Sequence, residues 1–272
     1  MKNKAPFTKR INNTNFNKLY LIMKKILLTL AIAGAFTSCK KETPMDDHHS
    51  HSHSGPADGT GSLELSTSFL VDGATYSQDS VYVDDFGNNY KISFTSMYLS
   101  GFQFNTDGDI TPLPTQYLLI KPETSTYPLG TIGAKHYHDF EFNIGLDSTT
   151  NHSDPNSYPV SSPLYPQSPS MHWTWASGYI FYKIEGSVDT DNDGVFETNF
   201  IFHIGTDGLK RSTSYTIHTD IVKNQTNTLT MKIDLGKFLN GINLSVDNRT
   251  HTMNDMPLAT RVANNSVTAI SK

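Results

Sequence analysis

The sequence has a single cysteine among its 272 residues, and it lacks the short motifs that mark common catalytic sites. One cysteine excludes an intramolecular disulfide. The chain contains no Gly-x-Ser-x-Gly elbow, no His-Glu-x-x-His zinc motif, no phosphate-binding glycine loop and no Cys-x-x-Cys-His haem motif. We therefore expect a protein that is not an enzyme, because a hydrolase would have to assemble its nucleophile and base from scattered residues.

Positive charge is also scarce. The formal net charge is −5, and residues 1–38 contain lysines and arginines but no acidic residue, so their removal leaves a more acidic chain. This balance excludes nucleic acid as a partner, since such proteins neutralise phosphates with clustered basic residues. An acidic surface outside the cytoplasm would instead attract cations, including metal ions.

The N-terminal region has the pattern of a secretion signal. Lys24 and Lys25 precede an apolar run over residues 26–36, which is too short to span a membrane and is typical of a signal peptide ending at residue 38. Cys39 follows directly, as in the lipobox of bacterial lipoproteins. We therefore expect Cys39 to be lipidated and to hold the protein, through its lipid alone, on the periplasmic or cell-surface side of the outer membrane.

A polar tether is expected after the signal. Met23 stands at the natural start of the leader, so residues 1–22 would lie upstream of it. Residues 39–61 are rich in histidine, serine, glycine and proline, which is typical of a flexible spacer. Such a mobile tract either remains merely solvated or captures metal ions weakly. Its candidate ligands are His48, His49, His51 and His53.

From Ser62 onward the apolar residues recur with a period of two, which predicts β-strands. Turn clusters rich in Asp, Asn and Gly separate these runs, and the only short helical stretch that stands out covers residues 236–240. We predict that residues 62–272 form one all-β domain, an antiparallel β-sandwich with long loops clustered at one end. The clearest alternating rows are Leu63/Leu65/Thr67/Phe69, Phe140/Phe142/Ile144, Phe196/Phe200/Phe202/Ile204 and Leu229/Met231/Ile233/Leu235.

The most distinctive stretch covers residues 170–186 and contains both tryptophans of the chain. Trp173 and Trp175 lie beside Met171 and His172, a thioether and an imidazole that are soft and borderline metal ligands. This grouping suggests a redox-active metal site beside two oxidisable indoles. The alternative is that two large aromatic side chains simply cap a sandwich.

Further candidate metal ligands lie outside this stretch. His152 lies in the long loop that leads to the tryptophans, His203 ends a strand, and His251 with Met253 offers another imidazole and thioether pair. All four belong to segments that can converge at the loop end of a sandwich.

Two further histidines carry a weaker signal. His138 shares the alternation of Phe140, and His218 follows a polar face, so we expect both to be structural or solvated.

An acidic loop resembles a calcium site in part. Asp189, Asp191 and Asp193 occupy the first, third and fifth positions of such a loop, and a glycine occupies the sixth. The twelfth position is Phe200, so the usual bidentate glutamate is missing, although Glu197 could substitute in part. The same residues also suit a tight hairpin tip.

Taken together, these features resemble the MbnP-like family of copper-binding proteins, which is named after a protein associated with methanobactin operons. The similarity spans about residues 60–262, and its most specific part is the Met-x-Trp-x-Trp-x-x-Gly-Tyr block. The matching segments are Phe142-Asn-Ile144-Gly145-Leu-Asp147, Asn151-His152, Met171-His172-Trp173-Thr-Trp175-Ala-Ser-Gly178-Tyr179-Ile-Phe181, Lys183-Ile-Glu185-Gly186 and Phe202-His203-Ile204-Gly205.

The resemblance implies an extracytoplasmic β-rich domain that binds Cu⁺ through histidines. It further implies that a tryptophan, Trp173 in preference to Trp175, is oxidised to kynurenine by a partner resembling dihaem cytochrome c peroxidases. The sequence departs from the family at His172, where an aromatic residue is usual, and in the acidic insert at residues 189–197. The copper ligands expected from this reading are His152 and His203, with Met171, His172, His251 and Met253 as further candidates.

A second reading belongs to another functional class. In it, the domain is a calcium-stabilised β-sandwich that binds an extracellular polymer. Trp173, Trp175 and Tyr179 would then form an exposed platform on which the polymer stacks.

Overall fold

The computed structural model describes residues 58–167, 169–173 and 177–272. The predicted signal peptide and Trp175 lie outside the described residues, as do Cys39 and the tether histidines His48, His49, His51 and His53. The roles assigned to them from the sequence stay predictions.

The described residues form 14 strands that lie in two sheets. The first seven are β1 (Thr60–Val71), β2 (Ala74–Thr75), β3 (Tyr82–Val83), β4 (Asn89–Thr106), β5 (Asp109–Pro112), β6 (Tyr117–Ile120) and β7 (Thr126–Gly133). The others are β8 (His136–Ile144), β9 (Ile180–Asp189), β10 (Thr198–Gly205), β11 (Arg211–Asp220), β12 (Thr226–Asp234), β13 (Arg249–Thr250) and β14 (Ile270–Ser271).

The two sheets differ in size. The five-stranded sheet has the order β14-β12-β1-β2, and β7 also pairs with β1. The nine-stranded sheet has the order β11-β8-β4-β9-β10-β13, and β3, β5 and β6 pair with the long strand β4. Buried apolar side chains from both sheets form one continuous core, so the predicted all-β sandwich is confirmed.

Alternation along the strands decides which residues enter this core. On β1, the predicted inner face of Leu63, Leu65, Thr67 and Phe69 is buried throughout. The side chains between them are exposed or half-buried, because successive residues of a strand point to opposite faces. Removing apolar side chains from water contributes about 25 cal/mol per Å², so the buried face determines the register of the strand.

Two strand pairings are parallel, which the prediction of an antiparallel sandwich did not include. Strand β1 pairs with β12 in parallel from Ser62 opposite Thr226 to Leu70 opposite Asp234. Strand β10 pairs with β13 in parallel at Ile201 and Phe202. A period of two is the same for both strand directions, so alternation alone does not distinguish them.

The described helices are short, with one exception. Helix α1 (Ser148–Asn151) and helix α2 (Leu235–Phe238) are single turns, whereas helix α3 (Met256–Ala269) has 14 residues. The expectation of no helix longer than the 236–240 stretch is therefore wrong. Among the described residues, no helix has the length and hydropathy needed to cross a bilayer.

Helix α3 was not predicted because few large apolar residues mark its buried face in the sequence. Its buried face consists mainly of small side chains and includes Leu258, Val262 and Ser266 at helical spacing. Asp255 caps its first turn by accepting a hydrogen bond from the Leu258 amide, and Pro257 lies within that turn. The helix packs against α2 and covers part of the core.

The carboxylate of Asp234 joins the end of β12 to the turn between β1 and β2. It accepts hydrogen bonds from the backbone amides of Asp72 at 2.8 Å, Gly73 at 3.0 Å and Gly236 at 3.2 Å. We expect Asp234→Ala to lower the free energy of unfolding by about 2–3 kcal/mol, because these amides lose a charged acceptor. Urea unfolding measures this change. Asp109→Ala, at an exposed position, is the control and should change stability by less than about 0.5 kcal/mol.

Candidate metal centre

The loop that carries the distinctive histidines is held by one buried side chain, Asn151, at the end of α1. Its Oδ1 accepts a hydrogen bond from the Tyr179 amide at 2.9 Å, and its Nδ2 donates to Asp207 Oδ1 at 2.8 Å. Gly178 has a φ of +80°, and a Cβ at this position would lie 2.6 Å from Asn151 Oδ1. Asn151 thus joins α1, the tryptophan segment and the turn after β10.

Asp147 explains why the chain turns into α1 at this point. It is the N-cap, and its carboxylate accepts hydrogen bonds from the Thr150 amide at 3.0 Å and the Thr150 hydroxyl at 2.7 Å. Burial would raise the pKa of Asp147, but the hydrogen bonds from Thr150 and Tyr117 outweigh it and lower that pKa. The cap therefore stays ionised and fixes the start of the helix.

Asp207 is a second carboxylate of the site, and its sequence, Thr206-Asp207-Gly208, indicates only a turn. Its oxygens accept hydrogen bonds from Ser148 Oγ at 2.5 Å, Asn151 Nδ2 at 2.8 Å and His152 Nε2 at 3.3 Å. Burial acts to raise the pKa of Asp207, but these donors lower it overall. A carboxylate beside an imidazole orients the ring, which is a common arrangement around metal ligands.

His152 and His172 line the same surface pocket, together with Asp154, Pro155 and Asn156. The His172 ring meets Tyr179 edge-on, with 4.7 Å between ring centroids. Burial lowers the pKa of His172, and its buried Nε2 has no hydrogen-bond partner among the described residues. A neutral imidazole with a free nitrogen fits a metal ligand.

In the tryptophan segment, residues 171–173 pair in the antiparallel direction with residues 178–180. The Trp173 amide donates to Gly178 O at 3.2 Å, and the Ile180 amide donates to Met171 O at 2.9 Å. The Trp173 ring lies on Gly205, where a Cβ would be only 2.8 Å from two ring atoms. The indole Nε1 is buried without a hydrogen-bond partner among the described residues.

His203 on β10 and His251, which directly follows β13, form a second imidazole pair. Their rings meet edge-on with 4.6 Å between centroids, and His203 Nε2 donates to Glu185 Oε1 at 2.6 Å. Burial, together with the nearby His203, lowers the pKa of His251. Thr252 holds the pair in place, because its hydroxyl donates to His203 O at 2.8 Å and accepts from the Gly205 amide at 3.0 Å.

The two methionines expected near the metal lie in different environments. Met171 is 1% exposed, and its thioether accepts a hydrogen bond from Ser96 Oγ at 2.9 Å, so it packs in the core. Met253 is 75% exposed, two residues beyond His251. Their roles as ligands stay predictions.

Two groups among the described residues bring three candidate ligand atoms within 4.8 Å of one another. One consists of Asp189, Asp191 and Glu197 in the predicted calcium loop. The other consists of His136, His138 and His218, none of which was assigned a ligand role from the sequence. The pairs His152 with His172 and His203 with His251 belong to no such group.

The acidic loop is also stabilised by its own hydrogen bonds. Asp189 is buried, and its carboxylate accepts from the backbone amides of Asp193 at 3.1 Å and Gly194 at 2.9 Å. Glu197 accepts from the Thr190 amide and is hydrogen-bonded to its hydroxyl. These contacts are those of a tight hairpin tip, the alternative to a calcium site that the residue pattern also allows.

The sequence model of the MbnP family matches residues 60–255. No curated protein matches the chain. Among solved structures, MbnP from Methylosinus trichosporium has the same fold, with a TM-score of 0.54 and 17% sequence identity. The match covers 71% of this chain and 82% of that one.

Asn151 provides a direct test of how the site is held together. We expect Asn151→Ala to destabilise the protein by about 2–3 kcal/mol, because the buried Tyr179 amide and Asp207 both lose a partner. Urea unfolding measures the change, with Asn156→Ala in the exposed part of the same loop as the control. Asn151→Asp keeps the acceptor for Tyr179 but places a carboxylate against Asp207, so it should also destabilise. Equal stability of Asn151→Ala and Asn156→Ala would contradict this assignment.

Glu185 makes the stability of this region pH-dependent. The hydrogen bond from His203 lowers the pKa of Glu185 below its ordinary value of 4.5. The unfolded chain therefore takes up this proton at a higher pH, so the stabilisation is complete above pH 4.5 and is lost as the pH falls through the folded pKa. We expect Glu185→Gln to be less stable than the wild type at pH 7 and to approach it in acid.

The measurement is urea unfolding at pH 7 and at a series of acid values, with exposed Glu123→Gln as the control. A stability difference that stays constant from pH 7 into the acid range would rule out this role of Glu185.

Proposed function

The chain belongs to the MbnP family, and on that premise we propose that it is an extracytoplasmic protein that binds Cu⁺ beside Trp173. Family membership supports a copper-related role associated with methanobactin. The finer assignment to residues depends mainly on one observation. His172 and Trp173 are adjacent in sequence, and each has a buried ring nitrogen, Nε2 and Nε1 respectively, without a hydrogen-bond partner among the described residues.

Copper would be held by neutral imidazoles at the loop end of the sandwich. His172 shares its pocket with His152, and burial lowers the pKa of both His172 and His251. Uncharged rings at neutral pH suit Cu⁺, because imidazole must be deprotonated at the binding nitrogen. His203 is 12% exposed and already bonded to Glu185, so it supports His251 in the same region.

Trp173 is the proposed site of oxidation to kynurenine. Its ring lies on Gly205, two residues beyond His203 on the same strand. A four-electron oxidation breaks the indole C2–C3 bond and adds two oxygen atoms taken from water, which gives N-formylkynurenine. Hydrolysis then releases the C2 carbon as formate. The net change is one carbon lost and one oxygen gained, and it leaves a carbonyl and an aniline as new donors. We propose that a partner of the dihaem peroxidase class provides the oxidising equivalents, so the protein is the substrate of this step and itself catalyses nothing.

The location follows from the sequence signals at the N-terminus. A lipid on Cys39 would anchor the protein on the periplasmic or cell-surface side of the outer membrane, and residues 39–61 would hold the domain away from the bilayer. The histidines of this tether would capture metal ions weakly or remain solvated.

The polymer-binding alternative requires three exposed aromatic side chains, and one of them, Tyr179, is buried. Tyr179 is 1% exposed, and its hydroxyl donates to Leu164 O at 2.7 Å, so the expectation that it stacks on a polymer is wrong. Trp173 is half-buried, and Trp175 lies outside the described residues. The calcium expectation stays a prediction that depends on Asp189, Asp191 and Glu197, with Asp193 beside them.

Mass spectrometry combined with Cu⁺ affinity tests the proposal. The protein is the full chain purified from its native host, with the four tether histidines changed to serine. We expect the peptide containing Trp173 to have lost one carbon and gained one oxygen, and we expect one Cu⁺ per chain at the proposed copper centre under reducing conditions. Fragmentation would show which tryptophan is changed.

Variants then locate the ligands by Cu⁺ competition with a chromogenic chelator. His172→Phe and His152→Ala should weaken Cu⁺ binding at least tenfold, which corresponds to about 1.4 kcal/mol. His218→Asn, far along the sheet, is the matched control and should retain Cu⁺ affinity. Both an unmodified peptide and Cu⁺ binding that survives in the His172 and His152 variants would count against the proposal.

A further inference from the structure

Three imidazoles meet on the outer face of the nine-stranded sheet, away from the copper site. His136 and His138 lie two residues apart on β8, and His218 lies on the neighbouring strand β11. The ring centroids are 5.2 Å apart for His136 and His138, 5.8 Å for His136 and His218, and 5.2 Å for His138 and His218. One candidate ligand atom from each ring lies within 4.8 Å of the others.

A β-bulge places His218 in this group. Thr216 pairs with Asp139 and Thr219 pairs with Tyr137, so Ile217 and His218 together face the single residue His138. His218 has a φ of +41°, in the left-handed region that non-glycine residues seldom adopt. Bulges commonly redirect side chains next to functional sites, and a backbone outlier of this kind is a reason to look for a function.

The alternation of β8 predicted that His138 lies on the same face of the strand as Phe140, and this prediction is wrong. Tyr137 is fully buried, and the side chain of His138 is 30% exposed, so His138 does not share the inner face of Phe140. The alternation of β8 changes between these residues, which leaves His136 and His138 together on the outside.

Two carboxylates support the rings. Asp220 Oδ1 lies 2.8 Å from His136 Nδ1, and Asp107 Oδ1 lies 3.3 Å from His138 Nδ1. A carboxylate that accepts the Nδ1 proton selects the tautomer in which Nε2 carries the free electron pair. This is the arrangement of carboxylate, histidine and metal found around many zinc ligands.

We propose that His136, His138 and His218 bind one divalent transition-metal ion of the Zn²⁺ or Cu²⁺ class. Tetrahedral coordination with bonds of about 2.0–2.1 Å places ligand nitrogens roughly 3.3 Å apart, so side-chain rotations of modest size complete the site. The fourth position is open to water, and the partly exposed rings admit an ion from solvent. Three imidazoles suit divalent ions of borderline softness.

The site is separate from the proposed copper centre. Strand β8 begins at His136 and ends at Ile144, from which the chain continues to the loop held by Asn151. At roughly 3.3 Å per residue, the strand separates its two ends by about 26 Å. One ion therefore cannot be shared between the two sites.

Zinc titration of the full-length chain tests the proposal. All proteins carry serine in place of the four tether histidines, so that the tether binds no ion. We expect one Zn²⁺ per chain by isothermal titration calorimetry, and Co²⁺ to give the visible absorbance of a tetrahedral site. His138→Gln and His218→Asn should each weaken Zn²⁺ binding at least tenfold. Asparagine tolerates the left-handed backbone at residue 218, so this variant should fold, which thermal unfolding without metal checks.

Matched controls separate this site from the copper centre. His172→Phe and His251→Ala should leave the Zn²⁺ affinity unchanged, whereas Asp220→Asn should weaken it by about 10- to 100-fold, because it loosens His136. Zinc binding that is unaffected by both His138→Gln and His218→Asn would overturn the proposal. Zinc binding lost in His172→Phe but retained in His218→Asn would place the ion at the other site and would also overturn it.

Discussion

The buried side chain of Asn151 is the contact on which the loop end of this sandwich depends. Its amide is bonded to the Tyr179 amide on one side and to Asp207 on the other. Tyr179 and Asp207 lie 28 and 56 residues beyond Asn151 in the sequence. A buried amide that loses its partner costs more than a hydrogen bond contributes. This contact therefore holds the tryptophan segment against the end of β10, where the Trp173 ring lies on Gly205. His152 and His172 of the proposed copper site belong to the segments that Asn151 joins.

Carboxylates orient most of the histidines in the folded region. Asp207 faces His152, Glu185 faces His203, Asp220 faces His136, and Asp107 faces His138. His172 differs, because it packs against Tyr179 and has a buried nitrogen without a partner among the described residues. A ring held by a carboxylate has a defined tautomer, whereas a ring desolvated without one stays neutral and is ready to bind a soft cation.

The two proposed metal sites differ in the groups around their imidazoles, and they would therefore bind different ions. At the loop end, neutral imidazoles lie beside an indole that can be oxidised, which favours Cu⁺ and links binding to a modification. On the outer face of the sheet, three imidazoles with carboxylate support favour a divalent ion. The net charge of −5 attracts cations of either kind. The fold connects the sites through the rigid strand β8 and keeps them apart.

The main strands and the distinctive stretch around Trp173 could be predicted from the residue order alone, because burial of one face of a strand imposes an apolar period of two. The inner faces of β1 and β12 follow that logic. The parallel pairing of β1 with β12, helix α3 with its face of small residues, and the contacts of Asn151 and Asp207 became visible only in the folded chain. The fold also brings His218 to His136 and His138 through a bulge. Strand direction, bulges and contacts between distant residues depend on how the sheets assemble. A local period of two is the same for every such assembly, so it does not predict them.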